Sequence, residues 1–146
     1  MKVEAFIHKQ QEVEITPLEL SLLTTDEFNW YKSRIPKLNN QMWWLKDKSD
    51  NCFNRAVAFV NLANCALLDG YYVADSLAVR PVLRFSGDLE TGTTFTLFNI
   101  DFKVIDTGMA ISIDSITNHR FDLQNNNYEE SELKQYLDNI LGEIPN

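Results

Sequence analysis

The apolar residues of this chain fall in short runs, and the length of those runs limits what it can fold into. Trp43-Trp44-Leu45, Ala56 to Val60, Leu77 to Phe85, Thr94 to Leu97, Phe102 to Ile105 and Met109 to Ile113 are each strand-sized. Residues 2–7 and 12–15 alternate polar and apolar in the manner of a short hairpin or edge strands. No run approaches the roughly 20 apolar residues that a membrane-spanning helix needs. The clearest helix lies near the end of the chain. There Leu133, Tyr136, Leu137, Ile140 and Leu141 recur at helical spacing and make one apolar face. Gly142 suits the position just past its last turn, with Pro145 beyond.

A second helix is announced by its start signal. Thr24 and Glu27 have capping-box spacing, and Asp26 and Glu27 put negative charge in the first turn. That helix carries Phe28, Trp30 and Tyr31, and Pro36 bounds it. Lys46 to Asn54 is polar and reads as a loop, and residues 61–76 read as turns around short extended pieces. Pro81 requires an edge, a bulge or a strand start. Turns are expected near Asn99 and at Thr107-Gly108, and Asn125-Asn126-Asn127 is a small polar loop. The 146 residues suit one α+β domain, with a turn-rich connector at Ser86 to Gly92 marking a joint within 86–93.

Charge is distributed unevenly. Residues 1–85 carry ten basic and ten acidic side chains, whereas residues 86–146 carry three and eleven. The net charge of −8 therefore belongs to the C-terminal part. Direct nucleic-acid binding is excluded by this balance, because it rests on cationic contacts to phosphate, and an anionic membrane is disfavoured for the same reason. Basic proteins or cations are the electrostatic partners it suits, although net charge also simply maintains solubility. Met1 to Gln10 lacks the apolar stretch of a secretory leader, so a cytoplasmic location is expected. Cys52 and Cys65 fit no zinc spacing and are expected as free thiols packed like small hydrophobes.

Two short motifs carry a family resemblance. Leu22-Leu23-Thr24, Trp43-Trp44-Leu45-Lys46, Phe59-Val60 and Ala78-Val79-Arg80-Pro81 resemble the second half of a domain family of uncharacterised bacterial and phage proteins. That family has Trp-Trp-Leu-Arg and Gly-Val-Arg-Pro motifs; here Lys46 stands for the Arg and Ala78 for the Gly. Phe95 to Leu97, Phe102 to Ile105, Ala110 to Ile113, and Ser131 with Leu133 and Leu137 resemble its first half. The resemblance implies a C-type lectin-like mixed sheet, similar also to the sulfatase-modifying enzymes, with the halves in permuted order. In such a permutation Ser86 to Gly92 would join Phe85 to Thr94 as a hairpin. A swapped homodimer is the rival explanation of the order.

Candidate chemistry is sparse. Trp43 and Trp44 point to opposite faces of a strand, so one is expected in the core while the other is packed too or lines a groove. Arg80 suits either a carboxylate ligand or an internal acid. The sugar motifs of calcium-dependent lectins are absent. Asp47 to Asn51 begins like an oxygen-ligand loop, but Cys52 and Ala58 occupy the positions where an EF-hand needs Gly and Glu. The two histidines, His8 and His119, lie in no nucleophile motif, and Cys52 and Cys65 do not match the copper-binding pair of the formylglycine-generating enzymes. No cofactor is implied.

The expectation is therefore a non-enzymatic module acting through protein–protein contacts, consistent with phage or mobile-element origin. Its interface is placed on Asp88, Glu90, Asp101, Asp106, Asp114, Asp122, Glu129, Glu130 and Glu132. In its sharpest form those acids mimic nucleic acid and block a host protein. The alternative is a small-molecule or glycan binder using the polar loops around residues 46–76.

Overall fold

The computed structural model of the chain describes residues 1–49 and 55–142. Strands are numbered in chain order. One sheet holds β1 (Lys2–Phe6), β2 (Gln10–Glu14), β3 (Thr16–Ser21), β8 (Val82–Ser86), β9 (Thr94–Leu97), β10 (Ile100–Asp106) and β11 (Met109–Ser112), in the order β2-β1-β9-β10-β11-β8-β3. The other holds β4 (Trp43–Lys48), β5 (Ala56–Val60), β6 (Ala66–Tyr72), β7 (Ser76–Val79) and β12 (Thr117–Arg120), in the order β12-β7-β4-β5-β6. Pairing is antiparallel except between β4 and β7. Helix α1 (Thr25–Tyr31) runs into a 3-10 turn at Lys32–Arg34, and α2 (Glu132–Gly142) ends the described chain. The architecture is thus mixed α+β, mostly antiparallel, with a curled half-barrel and two short helices.

The helix signals work as expected. Thr24 Oγ1 accepts from the Glu27 N–H at 3.1 Å, and Glu27 accepts from the Thr24 N–H at 3.0 Å. For α2, Ser131 Oγ accepts from the Lys134 N–H at 3.0 Å. Gly142 lies within the helix span and does not cap it. The hairpin β1–β2 and the meander β9–β10–β11 also form where the alternation places them.

Trp43 and Trp44 do point to opposite faces, but neither lines a groove; both are fully buried. Trp44 packs edge-on to Phe121 in the larger apolar cluster, and its indole N–H donates to the His119 carbonyl at 2.8 Å. Trp43 meets Phe28 edge-on in a second cluster beneath α1. The pair therefore anchors two cores from one strand, and each large ring has a packing partner.

Several expectations are corrected. Leu77 to Phe85 is not one strand: β7 and β8 belong to different sheets, with Arg80-Pro81 between them. Pro81 offers no N–H to a ladder, so the chain breaks there. The connector after β8 does not close a hairpin, because β10 and β11 lie between β8 and β9. Residues 66–72 form a continuous strand, and β4 extends through Lys48 into the expected loop. Strand β12 went unforeseen because Thr117-Asn118-His119-Arg120 has no apolar alternation. Cys65 is exposed with a free thiol and does not pack as a hydrophobe; Cys52 lies outside the described residues, as does most of the Asp47 to Asn51 loop. Among the described residues, no helix is long and apolar enough to cross a membrane.

Candidate functional site

β7 and β8 pair, respectively, with β12 and β11. The two segments form one antiparallel ribbon that leaves one sheet and enters the other. Its two strands change sheet side by side, at Arg80-Pro81 and at residues 113–116. Backbone bonds hold the crossing together, from the Ser112 N–H to the Pro81 carbonyl at 3.0 Å and from the Ile116 N–H to the Val79 carbonyl at 3.0 Å. Asp114, which is exposed, and Ser115, which is half-buried, lie between these two ties.

Arg80 sits inside the bend, fully buried. Its Nε donates to the Ser112 carbonyl at 2.8 Å and its Nη2 to the Ile113 carbonyl at 2.9 Å. Its guanidinium lies 5.1 Å from the Trp43 ring centre. The internal acid expected for Arg80 is thus replaced by two backbone carbonyls and an aromatic face. Burial lowers its pKa to about 10, partly opposed by the nearby Asp114 carboxylate, so it stays cationic at neutral pH. The planar fork suits this place because it reaches two successive carbonyls at once.

Outside the bend lies a cavity of roughly 670 Å³. Its walls are the β9–β10 turn with its flanks, residues Asp114 to Ile116, the Tyr136 and Ile140 side of α2, and Met1. The turn is Phe98-Asn99, with φ of 55° and 62°. A two-residue hairpin turn with both φ positive suits Asn and Gly, and a bulky Phe there is unusual. Leu97, Phe98, Ile116, Tyr136 and Ile140 are half-buried and pack against the larger core. Asp101 and Asp114 are exposed and are the only charged side chains in the wall among the described residues. They are brought to one side by a bond from the Ile113 N–H to the Asp101 carbonyl at 2.8 Å.

The nine nominated carboxylates occupy several settings. Asp101 and Asp114 meet at the cavity. Asp88 and Glu90 are exposed on the β8–β9 connector. Asp106 accepts from the Tyr31 hydroxyl and the Thr107 N–H, which hold its carboxyl below the usual range. Asp122 is buried, accepting from the N–H groups of Gln124 at 3.1 Å, Asn125 at 2.8 Å and Glu132 at 3.1 Å. Burial pushes its carboxyl up, but these donors outweigh that and bring it below the ordinary value. Glu132 forms a two-pronged pair with Arg120 at 2.6 and 2.9 Å, and Glu130 accepts from the Asn125 amide. Glu129 lies at a smaller cavity of roughly 140 Å³ with Glu19, Lys46 and Asp138. Asp106, Asp122 and Glu132 thus hold the fold, whereas the six exposed acids present charge to solvent.

The apolar half of the cavity was not anticipated. Tyr136 and Ile140 were grouped with Leu133 and Leu137 as one core-facing stripe, but only Leu133 and Leu137 are fully buried. The unusual Phe98-Asn99 turn was the available signal. Beside this cavity His119 packs against Tyr136 at a tilt of 32°, with ring centres 5.1 Å apart, on a polar shelf that also presents Asn118, Gln135 and Asn139. His119 Nδ1 lies 2.6 Å from the Arg120 carbonyl, which takes up one ring nitrogen. Among the described residues, no group of three His, Cys, Asp or Glu side chains could hold a metal ion. Among the described residues, the polar segments around residues 46–76, the alternative binding region, contribute Lys46 to the small cavity and Ser76 to the shelf but none to the wall of the large cavity. No family model, no curated protein and no solved structure matches the chain.

Proposed function

We propose that this chain is a non-enzymatic binding module that engages a basic protein through its acidic C-terminal half. The observation that carries this reading is the position of the large cavity. Apart from Met1, its wall is drawn entirely from residues 97–140, the half that holds the excess negative charge. A concave, partly apolar surface with carboxylates at its rim suits a partner that is cationic and amphipathic. Inhibition of a nucleic-acid-binding host protein by a phage or mobile-element product is one form of this activity. The same proposal includes the finer fold, a C-type lectin-like domain in permuted order. It is supported by the central Trp43–Trp44 strand and by the Val79-Arg80-Pro81 turn that joins the two sheets. The permuted joint would then be a crossover, not a hairpin.

The test is retention of a protein partner on the immobilised chain at low and high salt. Replacing the six exposed acids Asp88, Glu90, Asp101, Asp114, Glu129 and Glu130 by their amides should abolish retention at low salt. Retention that survives this change would sink the acidic-interface reading. A glycan-binding reading is favoured by one observation, the tilted His119–Tyr136 ring pair beside three side-chain amides. A glycan array would report it directly, and His119→Ala should remove the signal.

A further inference from the structure

We infer that the large cavity receives a single arginine side chain from the protein partner, with lysine as a weaker ligand. This rests on the reading of a basic protein partner and specifies how it is held. The cavity volume of roughly 670 Å³ lies in the range of small-molecule pockets and is ample for one long side chain. Its composition is matched to an amphipathic cation. Phe98, Ile116, Tyr136 and Ile140 offer an apolar surface for an aliphatic stem. Asp101 and Asp114 offer two carboxylates for the head; no basic side chain among the described residues lines the wall beside Met1, and the buried Arg80 cation behind the bend balances only part of the Asp114 charge.

Geometry separates this pair from a mere cluster of surface acids. The Ile113-to-Asp101 backbone bond fixes the two chain segments side by side. The Asp114 segment is fixed from behind, because Arg80 donates to the carbonyl of Ile113, the residue before it. Arg80 is therefore a positioning residue for the rim. Asp101 is oriented in turn by the Thr96 hydroxyl, which donates to its Oδ1. A planar guanidinium presents several donors in one plane and can address both carboxylates, whereas an ammonium acts as a point charge. An anionic ligand would meet two carboxylates, and a metal ion would find no third His, Cys, Asp or Glu side chain among the described residues.

The experiment is a two-dimensional amide NMR titration of the full chain with N-acetyl-arginine amide. N-acetyl-citrulline amide, which keeps the stem and loses the charge, is the control probe. The expected result is saturable shifts confined to residues 97–101, 114–116 and 136–140. Citrulline should bind at least about fivefold more weakly. Asp101→Asn with Asp114→Asn should weaken arginine binding by about tenfold or more while the spectrum stays dispersed; Asn retains the acceptor for Thr96. Shifts that spread over all exposed acids without saturating, or that persist in the double variant, overturn the inference. If arginine fails while amide replacement of the six acids still releases the partner, the side-chain pocket is lost and the acidic-interface reading stands. If the six-acid variant keeps its partner, that reading falls independently of the probe.

Discussion

Arg80 is a cation withdrawn from water and held by carbonyl oxygens and an aromatic ring. Its value is geometric, since it ties the outgoing strand of the ribbon to the inside of the bend. Arg80→Met would fill similar space but leave the Ser112 and Ile113 carbonyls without their donors. An unpaired buried acceptor costs about 1–3 kcal/mol, so a loss of about 2–4 kcal/mol is expected, read as a lower denaturation midpoint at unchanged slope. Arg80→Lys should recover less than half of that, because one ammonium cannot repeat the fork. The sign of the pH effect follows from the lowered pKa. Below about 10 both folded and unfolded states carry the proton, so Arg80 adds no pH dependence between pH 5 and 9. At residue resolution the sequence marks Arg80 but not its partners. Val79-Arg80-Pro81 stands out in the sequence, which points Arg80 to a carboxylate, as ligand or internal acid, where backbone carbonyls serve. Asp101 and Asp114 were among nine candidates, and nothing local distinguished them from Asp122, which is consumed in capping.

At the scale of the element, carboxylates control both helix starts. Burial raises the Glu27 carboxyl, but the Thr24 N–H and the Arg84 guanidinium, which approaches within 2.7 Å, outweigh it and hold the pKa below 4.5. Asp122 is held below its ordinary value in the same way, by the N–H groups of Gln124 and Asn125 in the preceding loop and of Glu132 at the start of α2. A carboxyl with a lowered folded pKa stabilises fully above its unfolded value and loses that contribution as pH falls through the folded one. Acid unfolding should therefore set in below about pH 4.5, and Asp122→Asn should flatten the decline while costing about 2 kcal/mol at neutral pH. Circular dichroism in urea across pH 2.5–7 would check both. Thr24→Ala should cost about 1 kcal/mol, measured the same way. The helices were legible because caps and apolar period are local. The sheet membership of β7 and β8 was not, because a strand's partner is chosen by distant residues, and Leu77 to Phe85 reads as one apolar run up to its proline.

The whole molecule depends on the connector that follows β8. It must pass from β8 over two intervening strands to β9, about 14 Å at the usual strand spacing. A two-residue turn reaches about 11 Å between the flanking residues at full extension, so replacing residues 87–93 by Asn-Gly should prevent folding. Loss of amide dispersion in the NMR spectrum is the expected result. A hairpin at this joint would instead tolerate the replacement.

Because one ribbon belongs to both sheets, each sheet is completed only by strands that come late in the chain. β1 has β2 beside it early but meets β9 only some ninety residues later, and β7, which pairs with β4, gains its second neighbour only with β12. During synthesis on the ribosome, the nascent chain through β8 can form α1 and some hairpins, but it cannot close either layer. Contacts this distant in sequence slow folding toward the millisecond-to-second range typical of β-rich domains. Until the last strand emerges, Trp43 and Trp44 lack part of their cover, and that interval is when the chain is most exposed to aggregation and proteolysis.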